Sequence, residues 1–563
     1  MAIFNIIITI SFIELLKLIG SLILVYTFQF YYNYYTRPNK LPGPLPLPFI
    51  GNTYLYKSDT KSLFTSLREK YGDIYEVYFG GQRRVVISRP DYFEKILISS
   101  NKFFKRYPHS KGIEEYGLSG VGIIHNDNLK SWRFNRQSFI RSIMTPEFNN
   151  EAIKLTNKIF QELEGYWKSL ANVNVNLSNN NLQDNKNDWS LETDLSKWMR
   201  RFTNDIIVMV STGKRSYSMA SYYNKLSPIK ISRTGTLIED SEKLLQAFRS
   251  YSLNSGYFFI LGSFIRQHVP IIKDKVKEIL ENRNFIMDKF NEIIKNRRKE
   301  IEETPIGSEL RHDMLTSLIT VNTDRDIKKV KVVEEEMSRP MTDKEIGGNL
   351  FDILMGGTDT TANLFCFIVY YICHFPQVKQ KMLSEIETVF PSKSKFDLKH
   401  DDLSKLKYCE AIIKEVNRCT PLVSHFTRYS DSPCEMAGHH WEAGTLFLIN
   451  LASVYSHKDY WPDPNTFNPD RFYKENKKSE EIEDNNEENN KIRHRYSFAM
   501  FGGGLRICPG KKLAMIELLS LMVLLFRNYD VELVDMKMPL KLKSATASAC
   551  EELMVKIKPR IRE

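Results

Sequence analysis

Cys508 is the side chain in this sequence best placed to do chemistry. It stands in the decapeptide Phe-Gly-Gly-Gly-Leu-Arg-Ile-Cys-Pro-Gly at 501–510, with Gly502, Gly503 and Gly504 before it and Pro509 and Gly510 after it. Glycines allow positive φ and let backbone press closely against a flat ligand. Proline suits the first turn of a helix, and the apolar run at 513–526 predicts one there. The Cys508 sulfur is therefore expected at a helix N-terminus, where the dipole and unpaired N–H groups favour thiolate over thiol. Such a thiolate is a metal ligand or a nucleophile, while the blander reading is a buried structural cysteine in a glycine-rich turn.

A second chemical centre lies at 341–376. Thr342-Asp-Lys-Glu345 is a capping-box pattern, an apolar helical pattern follows it, and Pro376 ends it. Inside sits Gly356-Gly-Thr-Asp-Thr-Thr361, poor helix sequence in which each glycine costs about 1 kcal/mol relative to alanine, so a local break is expected. Asp359 and Thr360 pair an acid with an alcohol, a combination that can pass protons. Taken alone, the hexapeptide also reads as a helix interruption with satisfied hydroxyls. Glu415 and Arg418 share a helix face, Arg471 follows in Pro-Asp-Arg-Phe, and Trp132 and Arg136 stand four apart. By themselves these are common pairs with no implied chemistry.

Their order gives them weight. The pattern Phe, Gly, x, Gly, x, Arg, x, Cys, x, Gly is filled by Phe501, Gly502, Gly504, Arg506, Cys508 and Gly510, and it resembles the haem-binding loop of the cytochrome P-450 family, the haem-thiolate monooxygenases. The resemblance implies a mainly α fold with a smaller β-rich region and a long helix over one haem face. It makes Cys508 the axial iron ligand, Arg506 a propionate partner and Phe501 the aromatic shielding the sulfur. Trp132 and Arg136 match the family's propionate-binding Trp-x-x-x-Arg. His425 falls where the family places a propionate-binding Arg or His, although Ser424 replaces the usual preceding proline. Gly356, Gly357, Asp359 and Thr360 match the oxygen-binding groove, where the acid and alcohol deliver protons. Glu415, Arg418 and Arg471 match a structural charge network. The implied cofactor is haem b, with O2 and NADPH as co-substrates. The implied electron donor is NADPH-cytochrome P-450 reductase, with cytochrome b5 as an additional candidate.

Elements that must hold these groups are legible around them. Residues 1–35 are apolar apart from Glu14 and Lys17, long enough to span a bilayer, and lack a cleavage site, which predicts a transmembrane signal anchor. Tyr31, Tyr32, Tyr34 and Tyr35 would form an aromatic belt, and Arg37 and Lys40 place the following domain on the cytosolic side. With the resemblance, this predicts a single-pass protein of the endoplasmic reticulum membrane. Residues 36–51 form a proline-rich hinge, expected to be an extended spacer, and 52–563 the catalytic haem domain. Alternating runs at 74–79 and 84–88 around Gly80-Gly-Gln-Arg83 predict a β-hairpin. Asparagine-rich 172–187 and charged 473–490 are expected to be flexible insertions.

Composition narrows the function classes. The seven cysteines are odd in number and widely spaced, which excludes a disulfide framework and fits a reducing compartment. A net charge of +11 fits an anionic membrane surface or an acidic protein partner. Basic and acidic residues are interspersed and no nucleic-acid motif is present, so no nucleic-acid partner is expected. Lys511, Lys512, Arg493 and Arg495 lie near the cysteine loop and are candidates for a reductase-docking face. Apolar stretches at 107–124, 351–355, 421–426 and 544–549 are candidate pocket walls, which points to a hydrophobic small-molecule substrate. Other classes compatible with the residues are a haem-thiolate isomerase or dehydratase, a non-catalytic haem sensor and a thiolate hydrolase.

Overall fold

The computed structural model describes residues 12–55, 59–79, 81–98, 101–117, 119–177, 189–232, 238–326, 338–391, 398–473, 494–544 and 547–560. Most are helical, with small sheets at the margins, as the resemblance implies. The elements that bear on the site are labelled here in chain order. Helix α1 (Phe12–Thr36) is the apolar N-terminal segment, followed by strands β1 (Ile74–Phe79) and β2 (Gln82–Ile87) and helices α2 (Pro90–Ile98), α3 (Leu129–Ile143), α4 (Pro146–Leu177) and α5 (Leu195–Thr212). Then come the central helix α6 (Asp343–His374), α7 (Lys407–Cys419), β3 (His425–Tyr429), β4 (Leu446–Asn450) and α8 (Lys511–Asn528).

The hairpin forms as the alternation predicts, with Ile74 opposite Ile87 and Phe79 opposite Gln82. Its second strand begins at Gln82, two residues before the predicted start at Arg84. β4 adds parallel to β2, with Val85 opposite Phe447, and β3 closes the sheet antiparallel to β4, giving the order β1-β2-β4-β3. Buried Val85, Ile87, Phe447 and Ile449 turn one face of this sheet toward Phe93 and Leu97 of α2.

Helix α6 runs through the largest core cluster. Its start is the predicted capping box, in which the Thr342 hydroxyl accepts from the Glu345 amide and the Glu345 carboxylate from the Thr342 amide. The expected break at Gly356 to Thr361 does not occur, and the helix is continuous from Asp343 to His374. Packing overrides propensity here. A Cβ on Gly357 would lie 2.6 Å from Ile207 Cδ1, so the absent side chain is what lets α5 close on α6. The Thr203 hydroxyl, also on α5, donates to the Thr358 carbonyl at 2.8 Å.

Two expectations about connecting segments change. The proline-rich hinge is not an extended spacer throughout. Leu47 and Gly51 exchange backbone hydrogen bonds of 2.9 and 2.8 Å across a tight turn, and Gly51 bridges to Phe79 at the end of β1. Gly51 has φ +60°, and a Cβ there would meet the Tyr78 carbonyl oxygen at 2.4 Å, so the fold-back requires glycine. Of the first asparagine-rich segment, 172–177 continue helix α4, and 178–187 lie outside the described residues. Of the second, Tyr473 packs its ring 5.2 Å from that of Tyr408, and 474–490 lie outside the described residues.

Candidate active site

The cysteine loop is built by contact with α2. Gly504 has φ +63°, and a Cβ on it would sit 2.0 Å from the Leu97 carbonyl oxygen, while one on Gly503 would lie 3.0 Å from Leu97 Cδ1. The Cys508 amide donates to the Phe501 carbonyl at 2.9 Å, closing the loop. Cys508 then leads through Pro509 and Gly510 into α8, as predicted, and the Lys511 ammonium stands 5.8 Å over the Phe501 ring. Cys508 is exposed at the edge of a groove of ≈ 520 Å³ lined by Arg136, Met144, Lys407, Lys511 and Met515 among others. Protein atoms crowd its other sides, and that burial raises the thiol pKa. The Gly510 amide, the Arg136 and Arg106 guanidiniums and the Lys511 amide pull the other way. The expectation that the helix N-terminus by itself favours thiolate is therefore reversed, because desolvation outweighs the amides.

One residue, Ile123, joins the motifs through its backbone. The Ile123 carbonyl accepts from Arg506 Nη1 at 2.5 Å and from Trp132 Nε1 at 3.0 Å, while the Ile123 amide donates to the Asp352 carboxylate on α6. Asp352 Oδ2 also accepts from the Ile124 amide at 3.1 Å. Gly122, at φ +66°, leaves the space, since its Cβ would strike that same oxygen at 2.3 Å. Arg506 further donates to the Phe104 and Asn126 carbonyls at 3.1 and 2.6 Å and lies 4.8 Å over the Trp132 ring. Arg136 donates to the Ile507 carbonyl at 2.7 Å, one residue before the cysteine.

Around this junction sits a group of basic side chains that sequence reasoning missed. Arg428 is buried near Arg506, and half-buried Arg106 and His125 lie close to them. Burial lowers all of them, and repulsion from neighbouring arginines adds to it for three: Arg506 is pushed down to about 8, Arg428 to about 9 and His125 to about 3, which leaves His125 neutral. Nε of Arg106 and Nε2 of His125 are buried without a hydrogen-bond partner. Clustered buried cations are costly unless an anion joins them. A flat ligand carrying two carboxylates, as haem does, fits this donor set, with Arg106, Arg136, Arg428 and Arg506 available to its propionates. Arg106 and Arg428 stand outside any spaced motif, so only the fold reveals them.

The acid and alcohol of α6 are both partly exposed. Asp359 Oδ1 accepts from Arg200 Nε of α5 at 3.1 Å, and the Thr360 hydroxyl donates to the Gly356 carbonyl one turn back. Gly356 is exposed, with nothing within 4 Å of a Cβ placed on it.

His425 lies at the start of β3, its Nδ1 3.0 Å from Ser424 Oγ and its ring 4.7 Å from that of Phe64. Burial, with Arg84 nearby, pushes it down to about 4, so it is neutral at physiological pH. Ser424, in the place of the usual proline, ties His425 to the Thr60 hydroxyl at 2.9 Å. The charge network assembles: Arg418 forms two 2.7 Å bonds to the Glu415 carboxylate, and Arg471 Nε lies 3.5 Å from it. Arg418 also donates to the Tyr455, Pro464 and Thr466 carbonyls, and the Asn468 amide reaches Glu415 at 2.9 Å. The network thus fastens the segment before the cysteine loop to α7. Among the basic residues near the loop, Arg493 lies outside the described residues.

Comparison with known proteins agrees with this geometry. The family model described as Cytochrome P450 matches residues 41–559. A (+)-vincadifformine 19-hydroxylase from Catharanthus roseus is 25% identical over 523 residues, covering 91% of this chain and 92% of the relative. A tabersonine 3-oxygenase from the same plant is 24% identical, covering 90% of each chain. Cytochrome P450 3A14 from Cavia porcellus is 23% identical over 547 residues, 96% of this chain and 95% of the relative. A match over nearly the whole chain, with the cysteine loop, the Trp132–Arg136–Arg506 junction and the central helix in one site, makes the chain a member of the cytochrome P450 family of haem-thiolate monooxygenases.

Proposed function

We propose that this chain is a single-pass protein of the endoplasmic reticulum membrane that hydroxylates or otherwise oxygenates a hydrophobic small molecule. Its electrons come from NADPH through a cytochrome P-450 reductase, with cytochrome b5 as an additional candidate donor. The observation that carries the reading is the Ile123 junction, through which the cysteine loop, α3 and the central helix are fixed around unbalanced buried arginines.

Bound there, haem b with the Cys508 thiolate supplies reductive activation of O2 and transfer of one oxygen atom to substrate. The protein's own groups do the rest. Arg106, Arg136, Arg428 and Arg506, with Trp132, orient the propionates, while His425, neutral and held by Ser424, takes a hydrogen-bonding part. Phe501, whose carbonyl accepts from the Cys508 amide, would cover the sulfur side. Arg200 holds the Asp359 carboxylate, and the Thr360 Oγ1 proton, now engaged by Gly356, is free to turn outward. Together Asp359 and Thr360 bring solvent protons to the reacting face. Apolar Phe351, Ile353 and Leu354 beside Ile123 favour a hydrophobic substrate.

The deciding experiment is the absorption spectrum of the reduced, carbon-monoxide-bound protein. Wild type is expected to give the strongly red-shifted Soret band of thiolate ligation, and Cys508→Ser to lose it. A band at the position typical of histidine ligation in wild type would overturn the assignment.

A further inference from the structure

One half-buried arginine belongs neither to the cysteine loop nor to the Ile123 junction. Arg84 lies on β2, opposite Val77 of β1. Its neighbour Arg83 turns to the other face of the sheet, where it pairs with Glu76 at 2.6 Å. Side chains alternate along a strand, so Arg84 stands on the face of Val77 and Phe79, with its guanidinium 5.0 Å over the Phe79 ring. Its Nε is shut off from solvent without a hydrogen-bond partner, and among the described residues no carboxylate pairs with it. Burial works against its charge, and the Tyr107 phenol in its favour. A cation so placed is costly unless an anion joins it.

The propionates are already provided for. Arg106, Arg136, Arg428 and Arg506 are available to them, and Arg84 stands apart from this set. Arg428 shares a row across the sheet with Phe447 and Val85, the residue after Arg84, so the Arg84 and Arg428 side chains leave opposite faces. The charges felt by Arg106, Arg136 and Arg428 are one another's and those of Tyr107, Asp352 and Cys508. Arg84 acts instead on His425 and helps to keep it neutral, so His425 adds no competing charge.

Aromatic surface connects Arg84 with the junction. The Lys105 and Arg106 carbonyls accept from the Tyr429 amide at 2.9 Å and the Thr427 hydroxyl at 2.8 Å, which carries Tyr107 to β3. The Tyr107 ring stacks on Phe259 with centroids 5.1 Å apart, and Phe259 lies 5.4 Å from the ring of His125, two residues past Ile123. One end of this track is charged and the other adjoins the cysteine loop. A ligand matched to it has an anionic head and an apolar body. A carboxylate suits the head, since its two oxygens meet a guanidinium fork in parallel bonds and leave a lone pair for the Tyr107 hydroxyl.

We propose that Arg84, with Tyr107, forms the carboxylate-binding subsite for a long-chain aliphatic acid, whose hydrocarbon chain lies along Phe259 toward the Ile123 junction. The inference rests on the haem-thiolate reading above, names the substrate class for it, and places oxygenation on the chain remote from the carboxylate.

The test uses the full-length, haem-loaded protein and three probes of one chain length: dodecanoate, its methyl ester and dodecanol. Affinity is read by equilibrium dialysis, and the reduced carbon-monoxide spectrum is recorded on every sample. Wild type is expected to bind the acid about tenfold more tightly than the ester or the alcohol, the size of one charge-assisted pair. Arg84→Gln should lose that margin while ester affinity and haem content persist. Arg84→Lys should keep part of it, and Tyr107→Phe should lose a smaller share. Equal affinities for the three probes in wild type, beside an intact carbon-monoxide band, would overturn the subsite alone. An acid preference that survives in Arg84→Gln would put the anion elsewhere and overturn the assignment. Loss of haem or of ester affinity in that variant would make Arg84 a partner of the propionates or of the fold, and would overturn it too. An acid preference in wild type without the thiolate band would overturn the haem-thiolate reading and leave the carboxylate site standing.

Discussion

Thr360 and Glu517 illustrate two ways in which a single polar side chain near this site can matter. Thr360 can be read from sequence because it belongs to a spaced pattern, and its partly exposed hydroxyl suits proton delivery. Thr360→Ala should keep the carbon-monoxide spectrum and the rate of reduction but release peroxide in place of product, measured as peroxide formed per NADPH consumed. Full coupling in that variant would remove the proton-delivery role. Glu517 was not legible, since one glutamate in an apolar helical run reads as an ordinary solvated position. It is fully buried on α8, and burial pushes its pKa up from 4.5 to about 8 against the opposing influence of the Thr361 hydroxyl. Between those values the folded protein holds a proton that the unfolded chain has released, so stability falls as pH rises across that window. Thermal midpoints measured from about pH 5 to about pH 8 should decline, and decline less steeply in Glu517→Gln. Parallel slopes would mean that the carboxyl is ionised in the fold. The same limit on legibility applies to Arg106, Arg428, His125 and Asp352, whose meaning comes from neighbours hundreds of residues away.

Helices and hairpin were legible where periodicity and caps agreed, as at Thr342 and Ile74–Phe79. The break predicted in α6 was not found, because propensity counts the chain alone while α5 packs directly on the weak point. The two glycines there have different work. Gly356 faces open space, so Gly356→Ala should raise the thermal midpoint, reflecting about 0.5–1 kcal/mol of helix propensity. Gly357→Ala would bring a methyl to 2.6 Å from Ile207 Cδ1 and should lower the midpoint instead. Adding Ile207→Val, which removes that atom, should restore much of the loss. If the single Gly357 variant is as stable as the parent, contact between α5 and α6 does not depend on glycine. The hinge shows the complementary failure: prolines at every second position predict extension, but Gly51 and Asn52 close the chain on itself, and a turn decided by two residues carries little signal.

Charge bears on the proposed encounter with a reductase. The chain carries +11 overall, and Arg136, Lys407, Lys511 and Lys512 line the groove that opens beside Cys508, with Ile507, Met144 and Met515 supplying apolar floor and Glu410 the opposing charge. An apolar floor within a basic rim is the arrangement expected of a transient electron-transfer interface, in which charge guides encounter and a small contact permits release. The groove also borders the Cys508 sulfur, so a partner seated there would approach the proposed iron ligand closely. Lys511→Glu combined with Lys512→Glu should raise the apparent KM for reductase several-fold with little change in kcat, and raising ionic strength should weaken the wild type while affecting the variant less. The carbon-monoxide spectrum serves as the check that the cysteine loop is intact. An unchanged KM with an intact spectrum would mean that these lysines are solvated charges and that the partner docks elsewhere.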